Sequence, residues 1–299
     1  MGLRLIQGGR AADGLPGLLI ENVAEIATMA GGIRFGVRMD DAALLVAPGG
    51  DTTHEAAPVV ATWEGRILAA GPRAELLQAI EGSGYSIARF GRIDAGGGTV
   101  TPVPVDAHTH LLFGGSREAE LVLRQRGADY LEILQAGGGI LSTVAATRAA
   151  SFQQLIEHGR RWLGEMLAHG TTTIEAKSGY GLDLPTELRL LEAAFQLGRE
   201  GPVEVLPTWL GAHAVAPEFR ARPDGTEAYV RYLIEEQLPG VAAQGRALSC
   251  DVFCEQGVFT ADQSRRILVA AAGYGMAVRL HADELAPSGG AALAAELGA

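Results

Sequence analysis

The chain has 299 residues, 47% of them hydrophobic, enough to bury a large core as one big domain or two smaller ones. A formal net charge of −11 argues against a nucleic-acid backbone or an anionic membrane surface as partner, since both demand clustered Lys and Arg. No apolar run is long enough for a transmembrane helix, no signal-peptide pattern opens the chain, and two cysteines (Cys250 and Cys254) exclude a disulfide scaffold; a reducing cytoplasm is the expected home.

Residues 1–17 carry no clear period and read as a leader. From Leu18 the pattern is short and strand-like, over Leu18–Asn22, Ala43–Val46 and Val59–Trp63. Glu64-Gly65 and then Arg66–Ala70 follow, two apolar runs flanking a turn pair, which predicts a hairpin. A short helix over Arg73–Glu81 and a strand over Tyr85–Phe90 complete a mostly β module, with Gly96-Gly97-Gly98 at its far edge.

After Thr101 the pattern changes to strands alternating with helices. The first strand runs into Val105-Asp106-Ala107-His108-Thr109-His110, and helices follow over Ser116–Gln135 and Phe152–His169. In the second of these, Leu155, Trp162, Leu163, Met166 and Leu167 fall near a 3.6 period. Strands over Thr171–Ala176, Val203–Leu210, Leu248–Cys254 and Met276–Leu280 alternate with helices over Leu184–Arg199, Thr226–Gln244, Thr260–Tyr274 and Gly289–Gly298.

This alternation predicts a parallel sheet covered by helices. No G-x-G-x-x-G opens the first helix, so a dinucleotide-binding open sheet has no support. A closed barrel is favoured by where polar residues fall: His108 and His110, Glu175 and Lys177, His213, Glu255, and His281 with Asp283 and Glu284 all sit at the ends of strands. Barrel enzymes place their chemistry there. His54, His158 and His169 fall on loops or helix surfaces and take no role.

On a strand, residues i and i+2 share a face, so His108 and His110 could present two imidazoles to one ion of zinc, iron, copper or nickel. Two half-buried structural histidines would give the same triplet. Cys250 and Cys254 share a face of the fourth strand and read as core filler.

Longer motifs narrow the choice. His108-Thr109-His110-Leu111 with Phe113-Gly114-Gly115-Ser116-Arg117, then Gly137–Thr143, Glu175–Leu182, Leu210–Ala214, Asp251–Glu255 and Leu280–Glu284, are similar to the amidohydrolase superfamily, and within it to the imidazolonepropionase family of histidine breakdown. The resemblance runs from about Leu18 to Ala299. It implies a TIM barrel of the (β/α)8 type beside a small β-sandwich, with residues 1–102 as leader plus sandwich portion and 103–299 as the barrel. It further implies a hydrolase that opens the ring of 4-imidazolone-5-propanoate with water to give N-formimidoyl-glutamate, using one zinc or iron ion. By position, His108, His110 and His281 would be metal ligands and Glu284 the catalytic acid–base that also contacts the substrate ring. Arg117 would hold the substrate carboxylate, Tyr130 and Tyr180 would line the pocket, and His213 would touch the ring. Homodimers are the family's default, with a small molecule as the other partner.

The chemistry is consistent on its own terms. Hydrolysing a cyclic amide needs a nucleophile at neutral pH, and a bound metal lowers the pKa of water to about 7. A guanidinium at Arg117 matches a carboxylate bidentately, which Lys would not; Arg117 could instead pair with Glu118 or Glu120. Lys177 ends the second strand by this count, away from the position where relatives bridge two metals through a modified lysine, so a single ion is expected.

Two features depart from the family's pattern. Pro104 removes a ladder N–H and should sit at the start of its strand. About five βα units are present where a barrel closes with eight, which predicts an incomplete barrel, its further histidine and metal-binding aspartate lying beyond Ala299. An exposed strand edge and an activity-deficient fragment would follow. The competing enzyme reading is another mononuclear amidohydrolase, such as a heterocycle deaminase.

Overall fold

The computed structural model describes residues 14–31, 42–127 and 138–299. The chain forms two compact units, Met1–Val103 and Pro104–Ala299.

In the first unit the strands are β1 (Gly17–Glu21), β2 (Glu25–Ala27), β3 (Leu44–Val46), β4 (Pro58–Trp63), β5 (Arg66–Pro72), β6 (Phe90–Asp94) and β7 (Thr99–Val100). They make a four-stranded sheet in the order β5-β4-β1-β6 and a three-stranded sheet in the order β3-β2-β7. The β4–β5 hairpin turns at Glu64 (φ 49°) and Gly65 (φ 79°), the paired left-handed conformations of a turn whose twist matches the strands. Alternation assigns the faces. Leu19, Val59 and Ala61 pack on Leu76 and Ile80 of helix α1 (Arg73–Gly82), while Val60 turns the other way to meet Val23 and Ile26. Two expectations are corrected. The strand expected at Tyr85–Phe90 begins only at Phe90, because Ile87–Arg89 is a 3₁₀ turn. The short β2 and β7, too brief to show a period, were not foreseen.

The second unit is organised on one parallel sheet: β8 (Val105–Thr109), β9 (Thr173–Lys177), β10 (Glu204–Ala212), β11 (Ser249–Cys254), and two short strands, β12 (Ala277–Val278) and β13 (His281–Ala282), both paired with β11. The strands lie side by side in chain order and all pair in parallel. A doubly wound sheet reverses its order at a switch point; this one never does, and it is a partial (β/α) barrel. Pro104 stands immediately before β8, and Val105–His108 are exposed.

The described helices of this unit are α2 (Glu118–Gln125), α3 (Ile140–Ala149), α4 (Phe152–Ala168), α5 (Leu184–Glu200), α6 (Pro217–Arg220), α7 (Gly225–Tyr232), α8 (Leu238–Gln244), α9 (Ala261–Gly273) and α10 (Gly290–Leu297). Capping boxes start α4 (Ser151 with Gln154) and α9 (Thr260 with Gln263). Among the described residues no helix is long and apolar enough to cross a membrane. The helix expected over Thr226–Gln244 runs without a gap from α7 to α8, its α pairing divided by a π turn at Leu233–Gln237. Pro239 has no N–H to offer the preceding turn, so regular α pairing cannot run through it. The strand expected at Met276–Leu280 is likewise split, so His281 sits on β13 rather than at the end of that strand.

The sheet's outer face is apolar: Ile174 and Ala176 pack on α4 and α5, and Cys250 and Val252 join Trp209, Tyr229 and Ile267 in the largest core. Its other face buries Glu175, Lys177, Thr208, Ser249 and Asp251. Buried charges must be paired, and these five residues lead directly to the site.

Candidate active site

Strands β8 and β13, and the segments that follow β9, β10 and β11, bring polar side chains to one cavity of about 1430 Å³. Its lining includes His108 on β8, Arg117 before α2, Tyr180 after β9, His213 after β10, His281 on β13 and Glu284 just beyond. His110 follows β8 by one residue and lies behind this wall, its ring stacked on His213 (centres 4.8 Å apart, planes at 11°) and 4.8 Å from the ring of Tyr180. Tyr130 lies outside the described residues.

The interior charges form one continuous chain. Arg279 Nε lies 2.9 Å from Glu175 Oε1, and Lys177 Nζ lies 2.8 Å from Glu175 Oε2 and 2.6 Å from Asp251 Oδ2. Asp251 Oδ2 then accepts from His281 Nδ1 at 3.0 Å, and His281 Nε2 lies 3.2 Å from His108 Nε2. Thr208 donates to Glu175 at 2.6 Å, completing the carboxylate's shell. Burial pushes the Asp251 carboxyl up, but His281 and Lys177 outweigh it and hold the group below its ordinary value. A carboxylate only accepts, so His281 carries its hydrogen on Nδ1 and turns the Nε2 lone pair toward His108. Lys177 lies between two carboxylates, those of Glu175 and Asp251.

Burial, the largest cause in each case, favours the neutral imidazole at His108, His110 and His213. The His108 pKa is lowered, His110 falls to about 2, and His213 to about 4. His213 Nδ1 lies 3.0 Å from the carbonyl of Gly179, which can only accept; the ring therefore presents Nε2 as an acceptor. Gly179 sits at φ 99°, and a Cβ there would come within 2.8 Å of the Leu210 carbonyl and 3.0 Å of His213 Nδ1, so only glycine allows this approach. Burial raises the Tyr180 pKa, keeping the phenol protonated. Arg117 donates from Nε and Nη2 to Glu120 Oε2 at 2.9 and 2.6 Å. Glu284 is exposed and faces the cavity, while the neighbouring Glu255 accepts from the Leu285 amide at 2.8 Å and fixes the loop that carries it.

A metal ion can be tested against this geometry. Two nitrogen ligands at tetrahedral angles around zinc, each about 2.0–2.1 Å away, lie about 3.3 Å apart. The 3.2 Å between His108 Nε2 and His281 Nε2 matches that spacing, and Asp251 behind His281 is the carboxylate partner that metal-bound imidazoles usually have. Among the described residues His110 Nδ1 is buried without a hydrogen-bond partner, and its ring stacks on His213. Among the described residues no group of three or more His, Cys, Asp or Glu side chains converges on one point. The pair fits an ion; the third ligand is not in register with it.

Asp251 and Lys177 are the site residues that sequence reasoning missed as a pair. Their signal was present: charged residues in strands otherwise apolar, Glu175 and Lys177 two apart on β9 and Asp251 on β11.

Comparison with known proteins bears on the family. No protein-family model matches the chain. Imidazolonepropionase of Symbiobacterium thermophilum is 51% identical over 284 residues, 94% of this chain and 63% of that protein. The Myxococcus xanthus imidazolonepropionase is 49% identical over 282 residues, covering 94% and 62%, respectively.

By sequence, the chain is similar to the imidazolonepropionases along nearly its whole length.

It spans about three fifths of the length of these curated imidazolonepropionases. Among solved structures, ochratoxinase of A. niger superposes with a TM-score of 0.53 at 15% identity, over 95% of this chain and 59% of that one. The 5-methylcytosine deaminase of Klebsiella pneumoniae, liganded with 5-fluorocytosine, gives 0.53 at 16% identity, over 89% and 51%. At such identities the shared feature is the fold, and it agrees with the partial barrel read from strand order.

Proposed function

We propose that this chain carries the catalytic face of an enzyme that opens the ring of 4-imidazolone-5-propanoate with water, yielding N-formimidoyl-glutamate. The observation that carries the reading is the convergence of His108, His281, His213, Tyr180, Arg117 and Glu284 on one cavity. Identity of about half with imidazolonepropionases along nearly the whole chain supports the substrate.

His108 and His281 would hold one zinc or iron ion, with His110, its ring centre 6.1 Å from that of His108, as the third ligand. When bound, the ion would polarise the ring carbonyl and lower the pKa of water to about 7. The rest is done by the protein. Asp251 keeps the Nδ1 hydrogen on His281. His213 offers Nε2 as an acceptor to an N–H of the imidazolone ring, while Tyr180 covers one wall of the cavity with an apolar ring and a donor hydroxyl. Arg117 meets the propanoate carboxylate, the bidentate match that a guanidinium makes and an ammonium does not. Glu284, which also lines the cavity, takes a proton from the attacking water and returns it to the leaving ring nitrogen.

The test is turnover by the protein containing this chain. Imidazolone propanoate should be hydrolysed, and cytosine and guanine should not. Hydrolysis of the nucleobases with no turnover of imidazolone propanoate would overturn the assignment.

A further inference from the structure

Glu187 is fully buried in the first turn of α5, yet among the described residues it forms no ion pair. Its carboxylate is instead filled by backbone amides of one loop. Oε1 accepts from Gly181 at 2.8 Å and Leu182 at 2.9 Å, and Oε2 accepts from Gly179 at 3.1 Å. The Ser178 hydroxyl adds a further donor. Burial pushes this carboxyl above its ordinary value and the donors oppose the push. The loop so gripped is Ser178–Leu182. It contains Tyr180, and its Gly179 carbonyl sets the orientation of His213. The loop is not relaxed: Leu182, a non-glycine residue, is at φ 59°, while the φ of 99° at Gly179 is open to glycine. A left-handed conformation at a residue such as leucine persists only where surrounding contacts overdetermine it.

We propose that Glu187 is a positioning residue, a buried carboxylate clamp that holds the strained Ser178–Leu182 loop so that Tyr180 and the acceptor nitrogen of His213 face the cavity. Alternatives for satisfying these amides are absent from the described surroundings of the loop. Tyr229 and Gln237 both donate to the Leu182 carbonyl (3.0 Å each), and Arg148 to the Gly181 carbonyl (2.7 Å); these hold carbonyls, not N–H groups. Glu187 alone serves three consecutive-turn amides. Glutamine in its place would offer one acceptor oxygen and turn an NH2 group toward donors. The inference rests on the proposed reaction only for what Tyr180 and His213 are held to do.

The experiment uses ring-15N histidine labelling and amide hydrogen exchange on the chain and its Glu187→Gln variant. In the parent, His213 should show the Nδ1-protonated tautomer, and the Gly179, Gly181 and Leu182 amides should exchange as slowly as those of β9. In Glu187→Gln, the tautomer signal should shift toward a mixture and these amides should exchange about tenfold faster or more, the loss expected for a buried hydrogen bond to a charged group. A lower melting temperature with the His213 signal and the loop amides unchanged would overturn the proposal and leave Glu187 a core residue. If the variant does not fold, fast exchange of the three amides in the parent overturns it equally. Neither arm uses substrate, so a chain inactive on imidazolone propanoate with the coupling intact would sink the functional reading and not this one.

Discussion

One oxygen of Asp251 holds two partners at once: His281 Nδ1 at 3.0 Å and Lys177 Nζ at 2.6 Å. The imidazole is thereby fixed in plane and tautomer, and the carboxylate is fixed by an ammonium that Glu175 anchors from the other side. For Asp251→Asn we expect zinc affinity to fall about 10- to 100-fold, the usual cost of losing a carboxylate behind a metal-bound imidazole. Competition with a chromophoric chelator measures it. Unchanged affinity would remove His281 from the ligand set or Asp251 from its support.

Arg117 shares Glu120 Oε2 between two of its nitrogens, which orients the guanidinium at the start of α2. Arg117→Met should raise KM for imidazolone propanoate about tenfold or more with a smaller change in kcat, the pattern of lost uniform binding. Glu120→Gln should raise KM less, since it loosens the guanidinium without removing it. Steady-state kinetics of both variants decide the matter, and an unchanged KM for Arg117→Met ends the carboxylate-clamp assignment.

The strand-end reading was legible because barrel chemistry is local to βα junctions: His108, His213 and His281 each lie on or just past a strand, and each faces the same cavity. What was not legible depends on contacts between distant segments. Lys177 and Asp251 are 74 residues apart, and neither spacing nor period says that they meet. The stack of His110 on His213 is of the same kind: an i, i+2 pattern predicts a shared face, but does not say which distant ring His110 meets. The π turn at Leu233–Gln237 lies just ahead of Pro239, whose missing N–H is visible in the sequence, while the helix read from the apolar period continues through it.

Tyr229 is fully buried on α7, and its hydroxyl lies 3.0 Å from the Leu182 carbonyl and 2.8 Å from the Gly211 carbonyl. It ties the loop after β9 to the end of β10. Tyr229→Phe keeps the ring and removes the donor from the Gly211 carbonyl, while the Leu182 carbonyl keeps Gln237, so a loss of about 1–3 kcal/mol is expected. Urea unfolding measures it; a shift of the midpoint within error would mean that the acceptors find other donors.

The Glu227–Arg266 pair (2.6 Å) joins α7 to α9 and predicts an acid-side dependence. Arg266 first, against a small burial effect, lowers the Glu227 pKa from 4.5 to about 2. A carboxyl with a depressed folded-state pKa adds stability that is present in full above its unfolded value. That stability is lost as pH falls through the window from 4.5 to about 2. Both side chains are 39% exposed, so screening reduces the effect to at most about 1 kcal/mol. Glu227→Gln should flatten this part of the stability–pH curve relative to the parent, as read by thermal melts between pH 6 and pH 3; identical curves would dismiss the pair as a contributor.

Because β8 through β13 are laid down in the order in which they are made, each connecting segment reaches the cavity rim without threading past another. The rim is therefore a set of independent inserts on a common rail. Lengthening one of them, such as the stretch around α6 that brings Arg220 and Arg222 to the wall, would reshape what the cavity admits while the strand pairing beneath it stays as it is. Change of substrate on this scaffold is a matter of splicing at one junction, with the charge chain from Arg279 to His108 carried along unaltered.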